Sequence, residues 1–379
     1  MSGHHNRISA YSRRDFGKLA LAALPAAGLL GRSGSLWAFQ AKPNSVWGGV
    51  PFGVFAPYRF GPEASDLDGA LKALVRLGVS QTEISNAVVE RYAGAPQAPA
   101  RAGGAGAAAA APAAAAPAAA QLAPAPGAIP CTNGVPTPAS AAAPAAGGGG
   151  GGRGAQSPEQ QAAARAQAEA VTKWRTTVPM SKFTDVRKKF ADAGVTIYAY
   201  RFTFTQPMSD AEYDYAFNAA KALGATQITM ELPGDPALSK RIGDAAAHHQ
   251  VNVGYHLHTT ASMTAWDQAM AQSPRNGLQL DIGHYVAGTG LSPVPLIEKH
   301  HARIWSMHLK DRKKLCHDRS ENMPWGQGDT PIKDVLQTLK KNKWAIPVGI
   351  EFEYLVPAGS TWDAEIAKCV QYGKDALLT

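Results

Sequence analysis

Eight times along this chain, a short run of β-branched and aromatic residues is followed by a stretch whose apolar positions recur at helical spacing, the pattern of consecutive parallel βα units. Such units fit few architectures, because a parallel sheet needs a crossover between strands and helices covering its faces. The expected strands are 52–59, 81–85, 196–204, 227–232, 252–258, 277–284, 304–310 and 347–354. The expected helices include 66–77, with Leu67, Ala70, Leu71, Leu74 and Val75 on one stripe, then 182–193, 210–223 and 332–341. A last helix at 362–378 closes the ring. A doubly wound open sheet is the competing arrangement, but no Gly-rich phosphate-binding turn follows the first strand. The pattern therefore predicts an α/β chain folded as a (β/α)8 TIM barrel.

Two parts of the sequence stand outside that pattern. Residues 1–41 contain Tyr11-Ser12-Arg13-Arg14-Asp15-Phe16-Gly17-Lys18, followed by an apolar run from Leu19 to Leu30 that is too short and too rich in Ala and Gly to anchor the chain in a bilayer. Paired arginines, an apolar run and small residues near Ala38 and Ala41 follow the order of a twin-arginine signal peptide. That order predicts an exported or periplasmic protein with no stable membrane anchor. Residues 93–170 are almost wholly Ala, Pro, Gly and Gln, with too few large apolar side chains to offset the entropy of ordering them. They read as a disordered insertion after the second strand, on the mouth side of the barrel, with a partly helical Ala-rich arm or an attachment to the cell envelope as the alternatives that composition does not separate.

Within 42–379, about 260 residues remain outside the insertion, close to the roughly 250 typical of a TIM barrel. The formal charge of +8 is reduced in the same way, because residues 1–41 supply half of it through Arg7, Arg13, Arg14, Lys18 and Arg32 against Asp15. What remains is too small to point to a nucleic-acid partner. Cys131, Cys316 and Cys369 are odd in number and widely spaced, so neither a disulfide framework nor a thiolate metal site is expected.

Polar residues at the C-terminal ends of barrel strands converge on one mouth, and along each strand they alternate with residues that face the helices. Gln279 and Asp281 alternate with Leu278, Leu280 and Ile282; Ser306, His308 and Lys310 alternate with Trp305, Met307 and Leu309. Glu351 and Glu353 alternate with Ile350 and Phe352, His256 and His258 with Tyr255 and Leu257, and Glu231 follows the outward Met230. Four strands thus each offer a ligand: Glu231, Asp281, His308 and Glu351. Three carboxylates confined together repel one another unless a cation lies between them. A single divalent ion fits, Mn2+ best for an oxygen-rich set, with Mg2+, Co2+ or Zn2+ as alternatives. Glu353 competes with Glu351 as ligand, and Glu83, ending the second strand, reads as a solvated loop acid, with a further substrate contact as the alternative.

The tracts Asp281-Ile282-Gly283-His284, Met307-His308-Leu309-Lys310-Asp311, Gly326-Gln327-Gly328-Asp329 and Ile350-Glu351-Phe352-Glu353 resemble the sugar phosphate isomerase/epimerase family of xylose-isomerase-like barrels. Gly254-Tyr255-His256-Leu257-His258 is similar to that family's fifth-strand signature, with Leu257 where Asn is more usual. The resemblance implies that Glu231, Asp281, His308 and Glu351 ligate the metal, that Glu231 and Glu351 double as the acid/base pair, and that His284 contacts a substrate oxygen. His256 and His258 read as hydroxyl-binding residues of the mouth, with a hydrogen-bonded core histidine as the equal alternative for His256, and Lys310 as structural or hydroxyl-binding.

The function so implied is metal-dependent isomerisation or epimerisation of an unphosphorylated sugar or keto-sugar, by proton abstraction next to a carbonyl through an enediolate. The alternatives are a lyase that expels the aglycone from 3-keto glycosides and a non-catalytic sugar-binding protein. An apurinic endonuclease shares the barrel but needs extra histidines on the second and third strands, where this chain has Glu83, Tyr198 and Tyr200. The expected partner is a small sugar rather than nucleic acid, and a homo-oligomer is compatible with the sequence.

Overall fold

The eight expected strands close into a barrel in chain order. The structure, a computed structural model, describes residues 42–97, 131–132, 135–136, 157–317 and 320–379. The expected signal peptide and most of the expected insertion lie outside the described residues. The barrel strands are β1 (Val50–Ala56), β2 (Gln81–Ser85), β3 (Thr196–Arg201), β4 (Gln227–Glu231), β5 (Asn252–His256), β6 (Asn276–Asp281), β7 (Ile304–Leu309) and β8 (Val348–Ile350). Each is parallel to the next, and β8 returns to β1 with Val348 opposite Phe52, so no barrel strand is left with an open edge.

Around the strands run α1 (Leu67–Arg76), α2 (Asn86–Tyr92), α3 (Pro158–Thr177), α4 (Ser181–Asp192), α5 (Asp210–Leu223), α6 (Pro236–His249), α7 (Asp267–Gln272), α8 (Ile282–Thr289), α9 (Val294–His300), α10 (Ile332–Asn342) and α11 (Trp362–Leu378). Local sequence explains their starts. Asp66 caps α1 by accepting from the Gly69 amide at 2.7 Å, and Ser209 with Glu212 forms a capping box on α5. The stripe Leu67, Ala70, Leu71 and Leu74 is buried against the barrel. Among the described residues no helix is long and apolar enough to cross a membrane.

The two-residue alternation holds through the strands. Phe52 and Val54, Leu278 and Leu280, and Met307 and Leu309 join the hydrophobic layer under the helices. Their neighbours point into the barrel, whose interior is markedly polar where branched aliphatic residues usually dominate. Gln227 donates to the Trp305 carbonyl and accepts from Ser306. Above that layer lie Glu83, Thr229, Gln279 and His308, all with no exposed surface. Gly349 is small for a physical reason: a Cβ there would lie 2.6 Å from the Tyr198 hydroxyl.

Three expectations change. The strand expected at 277–284 ends at Asp281, because the Asp281 side chain accepts from the His284 amide at 2.7 Å and so caps α8. Helix α3 takes in the end of the stretch expected to be disordered. Its Ala, Gln, Glu and Arg content favours helix, Ser157 and Gln160 form a capping box, and Arg175 clasps the buried Glu90 at 2.9 and 3.0 Å. Tyr215 also donates to Glu90 at 3.0 Å, and Gln167 donates to the Pro96 carbonyl at 2.7 Å. Finally, Cys316 is disulfide-bonded, against the expectation from spacing, whereas Cys369 is a buried free thiol.

Candidate active site at the barrel mouth

The strand ends bring His256 from β5, Asp281 from β6, His308 from β7 and Glu351 after β8 into one cluster. One potential ligand atom from each lies within 4.8 Å of the others, and all four residues are buried. Glu231 is not part of it. Arg201, at the end of β3, donates to the Glu231 carboxylate at 2.7 Å and holds it on the open side of the mouth, where its side chain is 44% exposed. His256 takes the place that the sequence reading gave to Glu231.

Lys310, 2% exposed, sits among the acids. Its Nζ lies 3.1 Å from Asp281 Oδ2 and 2.7 Å from both Glu351 and Glu353. Repulsion among the carboxylates, which the sequence argument assigned to a metal, is therefore relieved in part by an ammonium group. Burial opposes the charge on Lys310, but Asp281, Glu351 and Glu353 hold its pKa above the usual lysine value. Burial likewise opposes ionisation of Glu351, yet Lys310 and His308 hold its carboxyl well below the usual range. Asp281 behaves differently: burial pushes it up to about 7 despite Lys310. Glu353 turns away from the cluster to accept from Tyr58 at 2.9 Å as well as from Lys310.

Glu83 is the residue that sequence reasoning misjudged. It is fully buried rather than solvated, and accepts from Thr229 Oγ1 at 2.6 Å, Gln279 Nε2 at 2.6 Å and His308 Nε2 at 2.7 Å. The other ring nitrogen of His308 faces Glu351 at 3.0 Å, and the ring stacks on Phe55 with centroids 5.6 Å apart. Burial disfavours a charged imidazole, but Glu351 and Glu83 together raise His308 to about 10.

Imidazoles line the rest of the mouth. His256, His258 and His284 also bring one ring nitrogen each within 4.8 Å of one another. His258 stands at the rim with a 61% exposed side chain, 4.0 Å from Glu231. His284 is buried, with Lys310 Nζ 3.0 Å from Nε2 and Arg312 at Nδ1. A neutral ring accepts from only one of these donors at a time, and burial together with the two cations holds His284 well below the usual histidine value. Burial does the same to His256.

Two atoms bear on whether a metal fits. Asp281 Oδ2 and His256 Nδ1 are buried without a hydrogen bond among the described residues; Asp281 Oδ2 has the ammonium of Lys310 at 3.1 Å and His284 Nε2 at 4.0 Å. Two neutral or deprotonable imidazoles and two carboxylates, with ligand atoms left unsatisfied, form a donor set that could hold a divalent ion. The tract Gly326-Gln327-Gly328-Asp329 shapes a loop: Asp311 accepts from the amides of Gly326, Gly328 and Thr330, and a Cβ at Gly328 would lie 2.0 Å from Asp311 Oδ1.

A closed barrel of eight parallel strands with acids and imidazoles gathered at its C-terminal mouth defines a class of TIM-barrel proteins that bind ligands at that face. The sequence profile of the xylose isomerase-like TIM barrel matches residues 161–371, and the chain belongs to that family. The fold is similar to that of a xylose isomerase domain protein from Planctomyces limnophilus, at 13% identity and a TM-score of 0.50, covering 86% of this chain and 96% of that one. A sugar phosphate isomerase/epimerase from Parabacteroides distasonis aligns at 13% identity and a TM-score of 0.47, covering 88% of this chain and 96% of that one. No curated protein sequence matches the chain.

Proposed function

We propose that the protein is a divalent-metal-dependent sugar isomerase or epimerase acting on an unphosphorylated sugar or keto-sugar. The observation that carries this reading is the buried quartet His256, Asp281, His308 and Glu351, with its unsatisfied Asp281 and His256 atoms. These four residues would hold the ion, which when bound supplies a Lewis acid that makes the proton next to a substrate carbonyl more acidic. With equal numbers of nitrogen and oxygen ligands, the quartet suits Zn2+ or Co2+ as well as Mn2+.

The chain's own residues divide the remaining work. Glu231 ends β4 and Glu351 follows β8, strands that stand four apart in an eight-strand ring and so face each other across the mouth. One carboxylate takes a proton from the substrate carbon, and the other returns a proton to the opposite face or to the neighbouring carbon. Arg201 fixes the direction of the Glu231 carboxylate, and Lys310 keeps Glu351 ionised and ready to accept. His258 and His284 line the space between them and are suited to bind sugar hydroxyls. Export through the twin-arginine route belongs to the same proposal. The disulfide at Cys316 supports an oxidising compartment, where phosphorylated sugars are uncommon.

The test is solvent deuterium exchange. The protein, stripped with EDTA and reloaded with Mn2+, Co2+ or Zn2+, is incubated in D2O with a panel of ketoses, aldoses and 3-keto glycosides. Deuterium at the carbon next to the carbonyl, lost with EDTA and restored by metal, is the expected result. Exchange that ignores metal, or none with any sugar, refutes the proposal; aglycone release in place of epimerisation would make the protein a lyase.

A further inference from the structure

We propose that Glu83 is the positioning residue that presents His308 to the metal, holding Nε2 so that Nδ1 alone is available as the ligand atom. The inference rests on the metal-site reading above and deepens it. Three observations carry it. First, Glu83 comes from β2, which contributes nothing else to the cluster, and its carboxylate has no exposed surface. Burying a carboxylate is costly unless a cation or several donors meet it. No Lys or Arg hydrogen-bonds Glu83 among the described residues; Thr229, Gln279 and His308 do. Arg201 adds a favourable field without a hydrogen bond, and of the three groups that do hydrogen-bond Glu83 only His308 carries a charge that answers the carboxylate.

Second, the two nitrogens of His308 point at different partners. Nε2 lies 2.7 Å from Glu83, deep in the barrel, with Gln279 Nε2 a further 3.1 Å neighbour, so no ion can approach it without evicting two side chains. Nδ1 lies 3.0 Å from Glu351, on the side where Asp281 and His256 offer their unsatisfied atoms. Third, Phe55 stacks against the ring at 5.6 Å with 21° between planes, so the imidazole has little freedom to turn over. A metal-bound histidine that donates its other N–H to a carboxylate is held in one tautomer and is a more basic ligand.

Two measurements test this. Glu83→Gln preserves the shape and the contacts to Thr229 and Gln279 while removing the charge. Its affinity for Mn2+, read from the free-ion electron paramagnetic resonance signal, is expected to fall by about 10- to 100-fold. The apo variant is checked for folding by circular dichroism. Because that variant can fail to fold, the second measurement uses the intact protein loaded with diamagnetic Zn2+. Long-range 1H–15N spectra of the histidine rings should show His308 protonated at Nε2 and metal-bound at Nδ1. An affinity for Mn2+ within twofold of the parent in folded Glu83→Gln, or zinc on Nε2, overturns the inference and leaves the metal site standing. If the parent protein takes up neither ion, both the inference and the proposed function fall.

Discussion

Replacing Lys310 with methionine would remove a positive charge from among Asp281, Glu351 and Glu353 while keeping an unbranched side chain of similar reach. The ammonium lies 3.1, 2.7 and 2.7 Å from the three carboxylates and is almost wholly buried, so solvent screening does little to soften its loss. Removing one partner of a buried ion pair costs about 3–5 kcal/mol, because the remaining charges stay buried and uncompensated. In a barrel of this size each kcal/mol moves the melting temperature by about 2–4 °C, so the metal-free variant should melt roughly 6–20 °C lower. A divalent ion among His256, Asp281, His308 and Glu351 returns positive charge to the same carboxylates. The gain in melting temperature on adding saturating Mn2+ should therefore be larger in Lys310→Met than in the parent. Differential scanning calorimetry with EDTA and with Mn2+ reads both quantities. Because Asp281 titrates near 7, a proton can partly replace the lysine, and the deficit should be smaller at pH 6 than at pH 8. A metal-free variant that melts within about 2 °C of the parent, or one whose metal-induced gain is no larger, would refute the argument that lysine and metal answer the same charge.

Three further outcomes follow from the geometry. His308 is raised to about 10 in the folded protein against about 6.5 unfolded, so its imidazolium stabilises the metal-free fold fully below pH 6.5 and loses that contribution as pH rises to about 10. Urea titrations of the parent and His308→Gln should converge over that window, and a gap that stays constant with pH contradicts the assignment. Glu231→Gln should lower turnover by about 10²- to 10⁴-fold, with Mn2+ affinity changed far less than in Asp281→Asn, since Arg201 holds Glu231 outside the quartet. Equal losses of metal in the two variants would return Glu231 to the ligand set. Gly349→Ala should cost about 1–3 kcal/mol through the clash with the Tyr198 hydroxyl, and Tyr198→Phe should recover part of it; no recovery would place the strain elsewhere.

Most of the barrel was legible because period-two alternation is strict in strands that are polar inside and apolar outside. Gln81–Ser85 and Asp210–Leu223 have the expected bounds, and the other strands begin within two residues of expectation. Strand ends were less legible. An aspartate that can cap a helix looks, in sequence, like one more inward strand position, and only the fold shows that Asp281 does both. Asp281, His308 and Glu351 meet where alternation placed them, because a one-residue error would have turned each toward the helices. Alternation along Thr82-Glu83-Ile84 also turns Glu83 inward, but its place near a strand end, with no motif around it, leaves that signal faint in the sequence. What alternation cannot supply is which acid pairs with which cation. Arg201 claims Glu231, Tyr58 and Lys310 claim Glu353, and these choices depend on barrel shear and side-chain reach rather than on order in the chain. Composition could not decide α3 for the opposite reason: alanine-rich sequence lacks a core, but it is also the best helix former, and here Arg175 on Glu90, Thr172 on Glu212 and Trp174 packed on Phe183 and Tyr215 seat the helix.

The bond between Arg175 and Glu90, with Gln167 reaching Pro96, has a further consequence for how this chain tolerates change. It fastens together the segments on either side of residues 98–156. The entropy of closing such a loop grows only logarithmically, about 0.6 kcal/mol for each doubling of length. Residues added between the two clasped segments would therefore cost little in closure entropy, and their pull would fall first on Arg175 and Glu90 rather than on the strand ends that carry the site.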